Sequence, residues 1–289
     1  MIQDQSSAIE QSLSQIVDML LLNGTLTTCP GLVHGKMGIA VFFFHYARYS
    51  DNMLFTDYAL DLIEEIQEQL HANSLADYEK GIAGIGVGID YLILNEFLDT
   101  EDDIFEDFDQ RMVRAVMYDS WPDFSQYDGL VGYGRYWITR LRHQASSLQA
   151  RECLFRIIER IEEKLPDISI KEQTDVYCFL HDLQEITGFD SCTEIREQCR
   201  KWDLQSEDSS RCFPRLSNSV IGNIIRMYQC NHYFNGALQG EIDLALKRIP
   251  DLDMEKPPVS MGFLTGYAGE GLLRLTALRQ TNNSWMFLL

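Results

Sequence analysis

Two kinds of apolar stretch alternate along the chain. One is apolar on nearly every side, as in Ile39-Ala40-Val41-Phe42-Phe43-Phe44 and Ile85-Gly86-Val87-Gly88-Ile89. The other is amphipathic: Leu62, Ile63, Ile66 and Leu70 stand against Glu64, Glu65, Glu68 and Gln69. Apolar residues three or four apart predict helices, enclosed in the first case and wet on one face in the second. The amphipathic segments fall at roughly 8–22, 57–71, 104–118, 148–165, 193–202 and 237–249, and the enclosed ones lie between them. Phe42, Phe43, Phe44, Tyr46, Tyr91, Tyr136 and Trp137 are read as packed interior in preference to an aromatic-lined pocket.

Each enclosed helix is announced by a phrase of a polar residue, glycine, two residues and a second glycine. His34-Gly35-Lys36-Met37-Gly38, Lys80-Gly81-Ile82-Ala83-Gly84, Asp128-Gly129-Leu130-Val131-Gly132 and Thr265-Gly266-Tyr267-Ala268-Gly269 are plain copies. Gly35 to Gly81 is a step of 46, Gly81 to Gly129 of 48, and Gly129 to Gly266 of 137, about three periods. Asn218-Ser219-Val220-Ile221-Gly222 fits an eroded fifth copy, and a fourth is expected near Thr174-Asp175. Six helical hairpins predict an all-α fold. A linear stack needs polar end caps, which neither terminal repeat resembles, so closure into an (α/α)6 toroid is expected, residues 1–289 forming a single domain. The glycines would allow tight entry turns and close helix packing. Parallel enclosed helices would also aim unpaired N–H groups and positive dipole ends at one mouth.

Composition narrows the setting. Among 289 residues, 44 are acidic and 24 basic, a formal charge of −20, with no basic cluster; this argues against nucleic acid. Apolar runs are far short of a membrane span, and Met1-Ile2-Gln3-Asp4-Gln5 lacks a secretory start, so a cytoplasmic location is expected. Seven scattered cysteines suit reduced, mostly buried thiols.

Superposed repeats would bring the residues before the glycines to one mouth. His34, Lys80 and Asp128 are the candidate catalytic set: an imidazole near neutrality, an ammonium to polarise a carbonyl and a carboxylate to orient. Glu79, Lys36, Tyr127, Asn218, Thr265 and Tyr267 are candidate substrate contacts. The competing reading is that Asp128, Asn218 and Thr265 simply cap helix N-termini. Cys178 and His181, three apart, with Cys212 form a weak metal candidate; core packing is preferred for Cys178, and no metal ligands are assigned.

Gly31-Leu32-Val33-His34-Gly35-Lys36-Met37-Gly38-Ile39-Ala40, Lys80-Gly81-Ile82-Ala83-Gly84-Ile85-Gly86 and Gly262-Phe263-Leu264-Thr265-Gly266-Tyr267-Ala268-Gly269-Glu270-Gly271-Leu272 carry a resemblance to the lanthionine synthetase C-like family, the lantibiotic cyclases and their relatives. The resemblance implies peptide modification, a precursor peptide as partner and a zinc ion held by a cysteine and an adjacent Cys-His pair before a glycine. It also implies proton handling by a histidine before a glycine. The chain departs from that pattern: no phrase carries Cys-His, Ser217-Asn218 and Leu264-Thr265 stand where the pair is expected, and six repeats replace the usual seven. The expectation is therefore a divergent relative, zinc-independent or a non-catalytic peptide binder, with no cofactor. Two other classes compete. A carbohydrate-active toroid enzyme would use Asp128 with Glu79 as its carboxylate pair, and a scaffold would have no chemistry at all.

Overall fold

A computed structural model describes residues 2–99, 105–188, 192–203, 213, 216, 219–234, 236–250, 252 and 260–289. Among these residues the chain is helical, with one isolated bridge between Ser260 and Gly266 and no strand. The helices are α1 (Ile2–Asn23), α2 (Lys36–Ser50), α3 (Leu54–Gln69), α4 (Ile82–Leu94), α5 (Glu106–Met117), α6 (Leu130–His143), α7 (Leu148–Lys164), α8 (Ile170–Thr187), α9 (Thr193–Asp203), α10 (Val220–Tyr233), α11 (Gln239–Leu246) and α12 (Tyr267–Ala277). They belong to two compact units, Met1–Leu70 with Leu216–Leu289, and His71–Arg215.

In the second unit α4, α6 and α8 pack side by side. They are enclosed as their composition requires: every residue of α4 from Ile82 to Leu92 is buried. The amphipathic helices cover them, α7 burying only Ala150, Cys153, Leu154, Ile157, Ile158 and Ile161. Close approach depends on missing side chains. A Cβ on Gly86 would stand 2.6 Å from the Tyr136 ring, and one on Gly134 would enter the Phe179 ring. Charges left in this interior are paired. Asp109 takes Nε and Nη2 of Arg140, at 2.9 and 2.8 Å, and the Tyr136 hydroxyl at 2.6 Å. Asp90, 2% exposed at its side chain, meets Arg142 at 3.0 Å and His143 at 2.6 Å. Burial nevertheless raises the Asp90 carboxyl above its usual range.

The first unit repeats the plan. Here α2 and α3 form one hairpin and α10 and α11 another, while α12 packs against α2. Gly271 receives the Phe42 ring of the neighbouring enclosed helix as Gly86 receives Tyr136. The amphipathic partner of α12 is α1, from the other end of the sequence. A 3-10 turn at Ser284–Leu288 is fixed by Trp285 Nε1, which donates to Thr276 Oγ1 at 2.9 Å, and by Gln229 Nε2, which donates to the Met286 and Leu289 carbonyls at 3.1 Å.

The aromatic residues expected inside are inside: Phe42, Phe43, Phe44, Tyr91, Tyr136 and Trp137 are buried, and Tyr46 half-buried. The cysteines among the described residues carry no disulfide; Cys153, Cys178, Cys192, Cys199 and Cys230 are buried and Cys29 partly so. The fourth repeat departs from expectation. Its helix starts at Ile170, several residues before Thr174-Asp175, because Ser169 and Glu172 form a reciprocal cap that nucleates it earlier.

His45, 4% exposed on α2, lies with Nδ1 2.9 Å from Thr281 Oγ1. Burial, with Arg48 nearby, lowers its pKa to about 3. An unfolded histidine near 6.5 takes up a proton that the folded one refuses, so this contribution is complete above that value and is lost as pH falls towards 3. Between pH 7 and 4 this group alone removes roughly 3 kcal/mol of stability. Urea unfolding at both pH values should show His45→Asn, which keeps an acceptor without a titrating ring, losing less stability on acidification than wild type. Equal losses would refute the assignment.

Candidate functional site

Every enclosed helix with a glycine phrase begins in the same way. Gly35, Gly81, Gly129 and Gly266 are the N-cap residues, all extended and none using a side-chain cap. The chain loops back so that the next N–H donates to the carbonyl seven residues earlier: Lys36 to Cys29 at 2.9 Å, Ile82 to Leu75 at 2.9 Å, Leu130 to Asp123 at 3.0 Å and Tyr267 to Ser260 at 3.0 Å. In three of the loops the following N–H does likewise, Met37 to Pro30, Ala83 to Ala76 and Ala268 to Met261. The capping carbonyl lies directly over the glycine. A Cβ on Gly35, Gly81, Gly129 or Gly266 would overlap the oxygen of Cys29, Leu75, Asp123 or Ser260. The second glycine clears a carbonyl of the same loop, Leu32 over Gly38, Gln126 over Gly132 and Phe263 over Gly269.

Two expectations are corrected by this geometry. The first N–H of each of these helices, and the second in three of them, is not open to an anion, because the loop's own carbonyls occupy it. The N-cap residues themselves are Gly129 and Gly266, one position after Asp128 and Thr265. Asn218 lies outside the described residues; its neighbour Ser219 caps α10, accepting from the Gly222 N–H at 3.1 Å.

Adjacent loops are joined in a fixed register. In the second unit the N–H groups of Tyr78 and Glu79 both donate to the Tyr127 carbonyl, at 2.9 and 3.1 Å. In the first unit those of Phe263 and Leu264 donate to the Val33 carbonyl, at 2.8 and 3.3 Å. Donors and acceptor hold the same positions relative to their glycines in both cases, so the last loop pairs with the first as the second pairs with the third. Where the fourth loop lacks its glycine, a carboxylate replaces the carbonyl: Asp175 Oδ2 accepts from Gln126 N–H at 2.9 Å, and beside it Glu172 Oε1 accepts from Phe124 N–H at 2.9 Å.

The predicted residues divide between the units. In the second, Glu79, Lys80, Tyr127 and Asp128 come together across this loop pairing. Lys80 is exposed, its Nζ 3.3 Å from Glu79 Oε1, and that hydrogen bond, with Asp128 and Asp77 nearby, raises its pKa. Asp128 is exposed, Glu79 half-buried and Tyr127 buried with its carbonyl spent on the pairing. Sequence reasoning missed Asp77, whose Oδ1 accepts the Lys80 N–H at 2.7 Å, and Tyr133; burial raises the pKa of both. In the first unit His34 is half-buried beneath Gly262, where a Cβ would stand 2.5 Å from the His34 Cα. Thr265 is exposed. Tyr267 is buried, its hydroxyl without a partner among the described residues. Lys36 is buried and ion-paired with Glu65 of α3.

The zinc site that the resemblance implies needs thiolates beside the glycines. The two positions before each described glycine hold Val33-His34, Glu79-Lys80, Tyr127-Asp128 and Leu264-Thr265, a set with one imidazole and no sulfur. Burial pushes the Cys153 thiol up to about 12 and that of Cys199 to about 11, away from the ligating form. Cys178 is buried in α8, and Cys212 lies outside the described residues. These residues do not fit a thiolate zinc centre.

No family model matches the chain, and no curated protein matches it.

Asp175→Ala should cost about 1–3 kcal/mol in urea unfolding, because the buried Gln126 N–H loses its acceptor, whereas Asp175→Asn, keeping an oxygen there, should recover most of the loss. Equal costs would show that the carboxylate is not replacing the missing loop.

Proposed function

We propose that the chain is a divergent lanthionine synthetase C-like protein, its six hairpins closed into an α/α toroid, that binds a precursor peptide without a thiolate-held zinc. The observation carrying this reading is the shared register: Val33 accepts from Phe263 and Leu264 as Tyr127 accepts from Tyr78 and Glu79. A repeat protein whose last loop pairs with its first in the inter-repeat register supports closure, and α1 supplies the partner that completes the sixth hairpin. With the first N–H of each of these helices already bonded, peptide recognition falls mainly to side chains. We assign it to the side chains beside the glycines, Glu79, Lys80 and Asp128 in one unit and His34 and Thr265 in the other. Acidic Glu79 and Asp128 within a chain of charge −20 favour a basic peptide. No bond-forming step is assigned.

The test uses the full chain and a fluorescently labelled basic peptide containing one cysteine and one dehydrobutyrine. Saturable binding, weakened about tenfold by Asp128→Ala and by raised salt, is expected. No thioether should form, with or without added zinc. Absence of binding, or cleavage of glycans abolished by Asp128→Asn, would overturn the reading in favour of the scaffold or the carbohydrate-active alternative.

A further inference from the structure

The C-terminal turns of α8 hold a cluster that the peptide reading does not use. His181 and Glu185 are four residues apart, which places them on one helix face, and Asp182 lies beside them. One ligand atom from each lies within 4.8 Å of the others. Asp182 is already oriented: Arg135 Nη1 donates to its Oδ2 at 2.8 Å, while its Oδ1 stands 3.6 Å from His181 Nδ1. The side chains of His181 and Asp182 are 19% and 15% exposed and Glu185 is exposed, so an ion can reach them without opening the core.

We propose that His181, Asp182 and Glu185 form a binding site for a divalent first-row transition cation. An imidazole and two carboxylate oxygens suit such an ion better than magnesium or calcium, which take oxygen ligands. Three protein ligands leave coordination positions to water. The electrostatics agree. Two carboxylates stand at the site, and the negative end of the α8 dipole closes at Thr187, two residues beyond Glu185. Arg135 acts on the ion only through Asp182, fixing which oxygen is presented. This site shares nothing with the cysteine and Cys-His ligands implied by the family resemblance, and its three proposed ligands all lie on α8, whatever the peptide result.

Cobalt(II) is the probe, because its visible spectrum distinguishes nitrogen and oxygen from sulfur ligands. The full chain should bind one equivalent without a thiolate-to-cobalt charge-transfer band, and zinc should displace it while calcium does not. His181→Ala and Glu185→Gln should each weaken affinity about tenfold or more, with circular dichroism confirming unchanged helicity, and Cys178→Ser should leave affinity unchanged. No cobalt binding, a thiolate band, displacement by calcium as readily as by zinc, or wild-type affinity in both ligand variants would overturn the proposal.

Discussion

A backbone carbonyl lying across a glycine at the start of a helix is the constraint on which the rest of this structure depends. It satisfies helix N–H groups that would otherwise be orphaned beside a crowded interior, and it does so without a side chain. Only a residue lacking Cβ can sit beneath that oxygen. The backbone at these caps is ordinary extended chain, so the requirement is one of space and not of left-handed conformation.

The rest follows from how the loop ends. Having returned to cap their own helices, the second loop presents two N–H groups to the carbonyl of the third and the last loop two to the carbonyl of the first, and within each unit the glycines at 86, 134 and 271 accept aromatic rings from neighbouring enclosed helices. The fourth repeat shows what loss of the glycine entails. Its helix grows backwards to a Ser169–Glu172 cap, and the Asp175 carboxylate accepts the Gln126 N–H, the position whose N–H a loop carbonyl accepts elsewhere, while Glu172 accepts that of Phe124.

Much of this was legible in the sequence. The period near 46, the enclosed and amphipathic alternation and the helical content follow from apolar spacing, which burial enforces whatever the loops do. The loop geometry was not legible, because a carbonyl seven residues away leaves no mark on composition beyond the glycine itself. Asp128 and Thr265 therefore read as caps when the glycine beside them is the cap. The start of α8 follows Ser169-x-x-Glu172, a local capping signal in the sequence that the 46-residue period does not carry. His181 looked like a partner for Cys178, three residues away, but its neighbours in space are Asp182 and Glu185, while Cys178 faces the core.

Unfolding stability of alanine variants at the cap glycines tests the central constraint most directly, with Gly240 of α11, where a Cβ would meet nothing within 4 Å, as the reference. Gly35→Ala, Gly129→Ala and Gly266→Ala should each lose roughly 2 kcal/mol or more, since the obstacle is backbone, while Gly240→Ala should be neutral or gain up to about 1 kcal/mol. Cap variants as stable as the Gly240 variant would contradict the account.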